Sequence, residues 1–145
     1  MKVKEFIGEQ GNTAIVSAIK EAELNTSGEI RVHLENNCKD DPVERAVHIF
    51  NHLKMYDTKD RNGVLIYVAI KSKKFAIIGD SGINQSVPSD FWDGIKERMK
   101  GHFVAGGYVE GITTAIREAG ISLGEFFPYQ LDDVNEQPDE ISFGE

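Results

Sequence analysis

The chain has 145 residues with 16 Lys and Arg against 24 Asp and Glu, a formal net charge of -8, and 40% hydrophobic residues. That length allows one stable core without staples, and the composition is that of a soluble domain. The charge excludes a nucleic-acid binder, which needs a basic footprint. Cys38 is the only cysteine, so a disulfide framework and a thiolate metal cluster are excluded too. The start, MKVKEFIGEQ, lacks the apolar core of a signal peptide, and Val64 to Ile70, the longest apolar run, is far too short to span a bilayer. Direct membrane insertion is therefore not expected, and the expected location is the cytoplasm.

In chain order, Asn12 caps a helix from Thr13 to about Leu24, with Ile15, Ala18, Ile19 and Ala22 on its apolar face. Glu29 to Glu35 alternates as a strand, with Ile30, Val32 and Leu34 inward and His33 toward solvent. Asp41-Pro42 starts a second helix, a capping carboxylate followed by proline at the first helical position. Its stripe is Val43, Ala46, Val47, Phe50 and Leu53, ending near Tyr56. His48 and His52 lie one turn apart on the opposite face with Arg45 and Met55, and with no acid between them they read as solvated, not zinc-binding.

Val64 to Ile70 is a continuous β-rich run and reads as a central strand. Lys71 to Lys74 turns the chain, and Phe75 to Ile78 returns as an antiparallel partner. After a GDSG turn, in which Gly82 is expected at positive φ, Pro88-Ser89 begins a helix to about Lys100. Trp92 and Phe91 then cover the sheet. Gly106-Gly107 precedes a last helix from Tyr108 to about Phe127. This order gives a three-layer α/β/α sandwich on a small mixed parallel and antiparallel sheet, over residues 1–127. Residues 128–145 form an acidic tail with six acids and no base.

Several familiar motifs fail. Thr58 to Gly63 resembles the opening of an EF-hand loop, but Thr58 stands first, Ala69 falls at the bidentate glutamate position, and a strand follows. Gly79-Asp80-Ser81-Gly82 looks like a serine nucleophile segment, yet Ile83 replaces the next glycine, and a triad is defined by geometry. Cys38 and Arg45 are one residue too far apart for a cysteine-phosphatase loop.

The topology makes a geometric statement about the acids. Glu29 opens the first strand, Asp57 and Asp60 precede the second, Asp80 follows the third, and Asp132 and Asp133 begin the tail. All six fall at one end of the sheet. Carboxylates so grouped repel unless a cation or protons intervene. Calcium, which takes about six to eight oxygens in flexible geometry, suits ligands drawn from loops better than magnesium, though magnesium stays open. The plainer alternative is acidic loops splayed into water.

Taken together, "AIKEAELNTSGEIRVHLE", "TKDRNGVLIYVAI", "KFAIIGDSGI", "VPSDFW" and "DDVNEQPDEISFG" resemble the TPM domain, in a stand-alone bacterial form without signal peptide or membrane anchor. The resemblance implies an α/β/α sandwich. It implies an acidic patch associated with divalent ions, calcium included, and roles that range from acid phosphatase to membrane-protein assembly. Carried over by position, it points to Glu29, Asp80, Asp132 and Asp133. In the 57–63 loop it centres on Thr58, Arg61, Asn62 and Gly63, and less on Asp57 and Asp60. It also implies that the tail packs on the domain.

Three readings stand at this point. The first is a divalent-metal, calcium-binding domain with a non-catalytic role in assembly or regulation. The second is a metal-assisted phosphatase with Arg61 gripping the phosphate. The third is an acidic module for a basic protein partner.

Overall fold

The computed structural model describes residues 1–130 and 135–144. Residues Val3–Ala22 form α1, Glu29–Glu35 β1, Pro42–His52 α2, Gly63–Ala69 β2, Lys74–Gly79 β3, Ser81–Ser86 α3, Asp93–Val104 α4, Tyr108–Gly124 α5 and Ser142–Phe143 β4. The sheet order is β3-β2-β1-β4, with β1 parallel to both β2 and β4 and β3 antiparallel to β2.

Strand alternation divides the side chains between two helical layers. Ile30, Val32 and Leu34 of β1 join Val64, Ile66 and Val68 of β2 in the main core with α1, α4 and α5. Leu65, Tyr67 and Ala69 face the other way, onto Ala46, Ile49 and Phe50 of α2. With helices on both faces, every residue of β2 is buried, which is why its sequence is a run and not an alternation.

Helix α1 begins ten residues ahead of its expected start at Thr13 and kinks at Gly8, whose φ of 75° suits glycine. Val3 and Ile7 continue the buried stripe of Ile15 and Ile19 across that kink. The other helix corrections follow from turns. Helix α2 ends four residues before Tyr56, where Lys54 takes φ of 55°. Its buried face is Ala46, Ile49 and Phe50, continued by fully buried Met55, whereas Val43 and Val47 remain 49% and 45% exposed. The helix lies over β2 and β3, so only the side turned to those strands is covered.

Gly82 has no positive φ. It lies inside α3, which Asp80 caps by accepting from the Ser81 N–H. Glycine is required there by close approach, since a Cβ would stand 2.2 Å from the Asp60 carbonyl oxygen. The helix expected from Pro88 begins at Asp93, because Pro88 and Asp90 accept turn bonds from Phe91 and Asp93 first.

His33 is buried, at 4% exposure, and not turned to solvent. The second sheet face carries α2 and the returning C-terminal segment, so alternation on β1 exchanges one buried environment for another. In that segment Gln137 and Ile141 are buried, and β4 pairs with His33 and Leu34.

Candidate functional site

The lower edge of the sheet, where β1 and β2 begin, is built by the turn after α1 and the loop before β2. The Thr26 hydroxyl donates to the Phe127 carbonyl at 2.6 Å and accepts from the Gly28 N–H at 3.0 Å. This turn sets Glu23, which follows α1, opposite Glu29, the first residue of β1. In the other loop each patterned residue has a mechanical task. Thr58 Oγ1 accepts from the Asn62 N–H at 3.2 Å, Asn62 Nδ2 donates to the Ser27 carbonyl at 3.2 Å, and the Asn62 carbonyl accepts from the Glu29 N–H at 3.1 Å. Gly63 is required by contact, since a Cβ would lie 2.9 Å from the Met55 carbonyl oxygen.

Glu29 is 3% exposed, and one of its oxygens accepts from the Glu136 N–H. Glu23 accepts from the Ile30 N–H at 3.3 Å and shares hydrogen bonds with the carboxyls of Glu29 and Asp139. Asp139 also accepts from Asn135 Nδ2 at 3.1 Å. Glu23, Thr26, Glu29, Asn135 and Asp139 thus line one depression of about 220 Å³. Burial first, then the hydrogen bonds from Asp139 and Glu29, push the Glu23 carboxyl up to about 10, so it carries a proton at neutral pH. Glu29 is raised as well, by burial, against the lowering effect of the Glu136 N–H.

The expected acids therefore separate. Glu29 meets Glu23, Asp139 and Glu136. Asp80 meets Arg61, whose Nε and Nη2 donate to its two oxygens at 2.7 and 2.8 Å. With β2 between their strands, Glu29 and Asp80 are set roughly 10 Å apart by the strand spacing. Asp57 and Asp60 are exposed on the intervening loop. Asp132 and Asp133 lie outside the described residues. Among the described residues no three His, Cys, Asp or Glu side chains are grouped as a ready metal cage.

Glu23 and Asp139 were not among the expected site residues. Both are ordinary polar positions by sequence, one ending a helix and one in the tail. The turn after α1 brings Glu23 to Glu29, and the returning C-terminal segment brings Asp139.

A second buried polar group lies toward the upper end. Glu35, 2% exposed, accepts from Arg45 Nε and Nη2 at 2.9 Å each, from the Tyr67 hydroxyl, and lies 3.1 Å from His33 Nε2. His33 Nδ1 is 2.8 Å from Ser142 Oγ, which ties β4 to the network. Burial alone would raise the Glu35 carboxyl, but the bonds from Arg45, Tyr67 and His33 outweigh it and hold it down at about 2. Burial pushes His33 down and Tyr67 up. With these partners in place the group fastens α2 and β4 to β1.

A three-layer α/β/α sandwich with a mixed sheet and an acidic lower edge is the class these features define. The family profile described as TPM domain matches residues 2–120, and the chain belongs to that family. The solution structure of BA42 protein from the psychrophilic bacterium Bizionia argentinensis is similar at 47% identity, with a TM-score of 0.92 and 99% of each chain covered. The N-terminal domain of cg2496 protein from Corynebacterium glutamicum shares the fold, at 14% identity and a TM-score of 0.63 over 98% of this chain and 82% of that one. No curated protein matches the chain significantly. No described helix is long and apolar enough to cross a membrane.

Proposed function

We propose that this TPM domain binds a divalent cation, calcium foremost, at the lower edge of its sheet, and that it serves assembly or regulation without catalysis of its own. One observation carries the reading: Glu23 shares hydrogen bonds with the carboxyls of both Glu29 and Asp139 at one depression, and burial keeps a proton on Glu23, so that a cation would draw together three acids that do not yet stand as a cage. A hard dication relieves the same repulsion by replacing that proton. The oxygens of Thr26 and Asn135 line the same depression and add neutral donors. Calcium's loose geometry suits donors from separate loops, while magnesium demands a near-ideal octahedron. Asp132 and Asp133 enter the proposal by their place in the chain just ahead of Asn135. Asp57 and Asp60 contribute field, and Asp80 is given to Arg61.

A metal-assisted phosphatase finds less support, because the guanidinium offered for phosphate already holds a carboxylate. A basic protein partner at this edge is the remaining alternative. Its binding would weaken with salt and be indifferent to calcium.

Calorimetric titration of calcium in two buffers of different ionisation enthalpy tests the proposal. The expected result is one saturable event that releases protons near neutral pH, weakened about tenfold or more in Glu29→Gln and in Asp139→Asn. No binding by the unaltered protein, or unchanged affinity in both variants, refutes it.

A further inference from the structure

At the opposite end of the sheet the character of the surface reverses. A cavity of about 520 Å³ opens beside the C-terminal end of β2, between the start of β3, the end of α4 and the start of α5. This is within the range of about 300–1,000 Å³ common for small-molecule sites, and lies at the carboxyl end of the parallel strands, where α/β folds bind ligands.

Its wall is aromatic. Phe75 meets Phe103 edge to face with centroids 5.4 Å apart, Phe103 stacks on Tyr108 at 5.0 Å, and Tyr108 meets Phe6 at 5.7 Å. Val104, 82% exposed, extends the apolar lining outward.

Its charge is basic, in a chain with 24 acids and 16 bases. Lys73, Lys74 and Lys100 line it. Lys74 donates to the carbonyls of Cys38 and Asp40, at 3.1 Å each, and is thereby occupied. Lys73 and Lys100 are exposed, and among the described residues neither ammonium group has an ionic or hydrogen-bond partner. Helix α5 starts at the same cavity from Gly107 without a side-chain cap, so its dipole adds positive potential. Glu110, in the first turn of α5, is the acid beside Gly107 and is not among the residues that line the cavity.

We infer that this cavity binds a small soluble anionic amphiphile, its apolar body against Phe75, Phe103 and Tyr108 and its single negative head between Lys73 and Lys100. Charge complementarity selects this occupant. An apolar body alone leaves both ammonium groups unpaired, and a bare anion leaves the aromatic wall in water. The site is separate from the acidic edge and does not depend on any cation there.

The test is amide NMR of the labelled protein titrated with decanoate and, separately, with decanol, in the presence of chelator. Decanoate is expected to give saturable shifts confined to residues 68–75 and 100–108. Decanol, and decanoate with the Lys73→Glu/Lys100→Glu variant, are expected to bind about tenfold more weakly or worse. Both lysines are exposed, so spectral dispersion and melting temperature of the variant should match the parent. Shifts that do not saturate, that map to the acidic edge, or that survive charge reversal overturn the inference. So does sedimentation with phosphatidylglycerol vesicles, or a dimer built on this face, without saturable decanoate binding.

Discussion

Arg61 grips Asp80 through two hydrogen bonds of 2.7 and 2.8 Å, joining the loop before β2 to the turn after β3. The arrangement is local in space but spans nineteen positions in the chain. Arg61 adopts φ of 50°, a left-handed conformation that a non-glycine residue takes at some cost, and it is from there that the guanidinium reaches the carboxylate. Asp80 simultaneously accepts from the Ser81 N–H at 2.7 Å. One carboxylate thus caps α3 and anchors the loop.

The first prediction separates that role from cation binding. Asp80→Ala removes the cap and should cost about 0.5–2 kcal/mol in urea unfolding, the usual range for a lost N-cap. Asp80→Asn keeps a capping oxygen and should cost less. Calcium affinity should be unchanged in Asp80→Asn. A large loss of affinity there, with the fold intact, would place Asp80 in the ligand shell and contradict the division drawn between the Arg61–Asp80 ion pair and the Glu23, Glu29 and Asp139 cluster.

The second prediction concerns pH. Glu23 is raised to about 10 from an ordinary 4.5, so the folded protein keeps a proton that the unfolded chain releases. Below 4.5 both states hold the proton and the contribution is fully present. Between 4.5 and about 10 the unfolded state binds fewer protons, and stability falls as pH rises. In chelator, the melting temperature should therefore decline from mildly acidic to alkaline pH. Glu23→Gln, permanently neutral, should flatten that decline, and saturating calcium should reduce it by stabilising the ionised cluster. A melting temperature that does not fall with pH in chelator would remove the premise of a strained carboxyl cluster.

Much of the architecture was legible in the residues, and the failures have specific causes. Alternation in Glu29 to Glu35 marked β1 at both ends, and the apolar run at Val64 marked β2 to within one residue. Period-two patterning and β-branched side chains are local properties, so a strand reads directly. His33 was misread because alternation tells which residues share a face, not what covers the other face. Tyr67, stacked on the imidazole at 5.9 Å, and Ser142, 109 positions away, supply that cover. The face of α2 was misread because Val43, Val47 and Ile49 are all apolar, and only docking on β2 and β3 decides among them. At the acidic edge, Glu29 was found because it opens a strand. Asp139 was missed because its contact with Glu23 depends on the course of the returning tail.

A third prediction follows from the opposite sign at Glu35. Its carboxyl is held down at about 2 from an ordinary 4.5, so its contribution is present above 4.5 and is lost as pH falls from there toward 2. Tyr67→Phe removes one buried donor without altering shape and should cost about 1–3 kcal/mol, the range for leaving a buried acceptor short of a partner. The same variant should narrow the acid side of the stability profile. Acid unfolding monitored by circular dichroism should show its midpoint moving to higher pH. An unmoved midpoint would mean that Arg45 and His33 suffice to hold the charge. The consequence should extend to β4, since His33 links Glu35 to Ser142. Amide exchange at Gly144, whose N–H donates to the Leu34 carbonyl, should accelerate with it.

The last prediction uses two glycines as a pair. A Cβ on Gly82 would lie 2.2 Å from the Asp60 carbonyl oxygen and 2.7 Å from that of Arg61, both backbone atoms with little freedom to withdraw. The Gly82 N–H donates to the Arg61 carbonyl at 2.9 Å, and the next residue, Asn62, accepts from the Glu29 N–H at 3.1 Å. Displacing the loop at Gly82 therefore acts on the start of β1. Gly82→Ala should destabilise by about 1–3 kcal/mol through this overpacking and should also weaken calcium binding, although residue 82 touches no part of the proposed site. Gly101, inside α4, has open space at its Cβ. Gly101→Ala should be neutral or stabilising by up to about 1 kcal/mol, because alanine limits the unfolded chain and favours helix. Thermal melts of the two variants, with calcium titrations at a temperature where both are folded, compare them directly. If Gly82→Ala lost stability yet bound calcium like the parent, the loop would be mechanically uncoupled from Glu29, and the cation site would have to be defined without it.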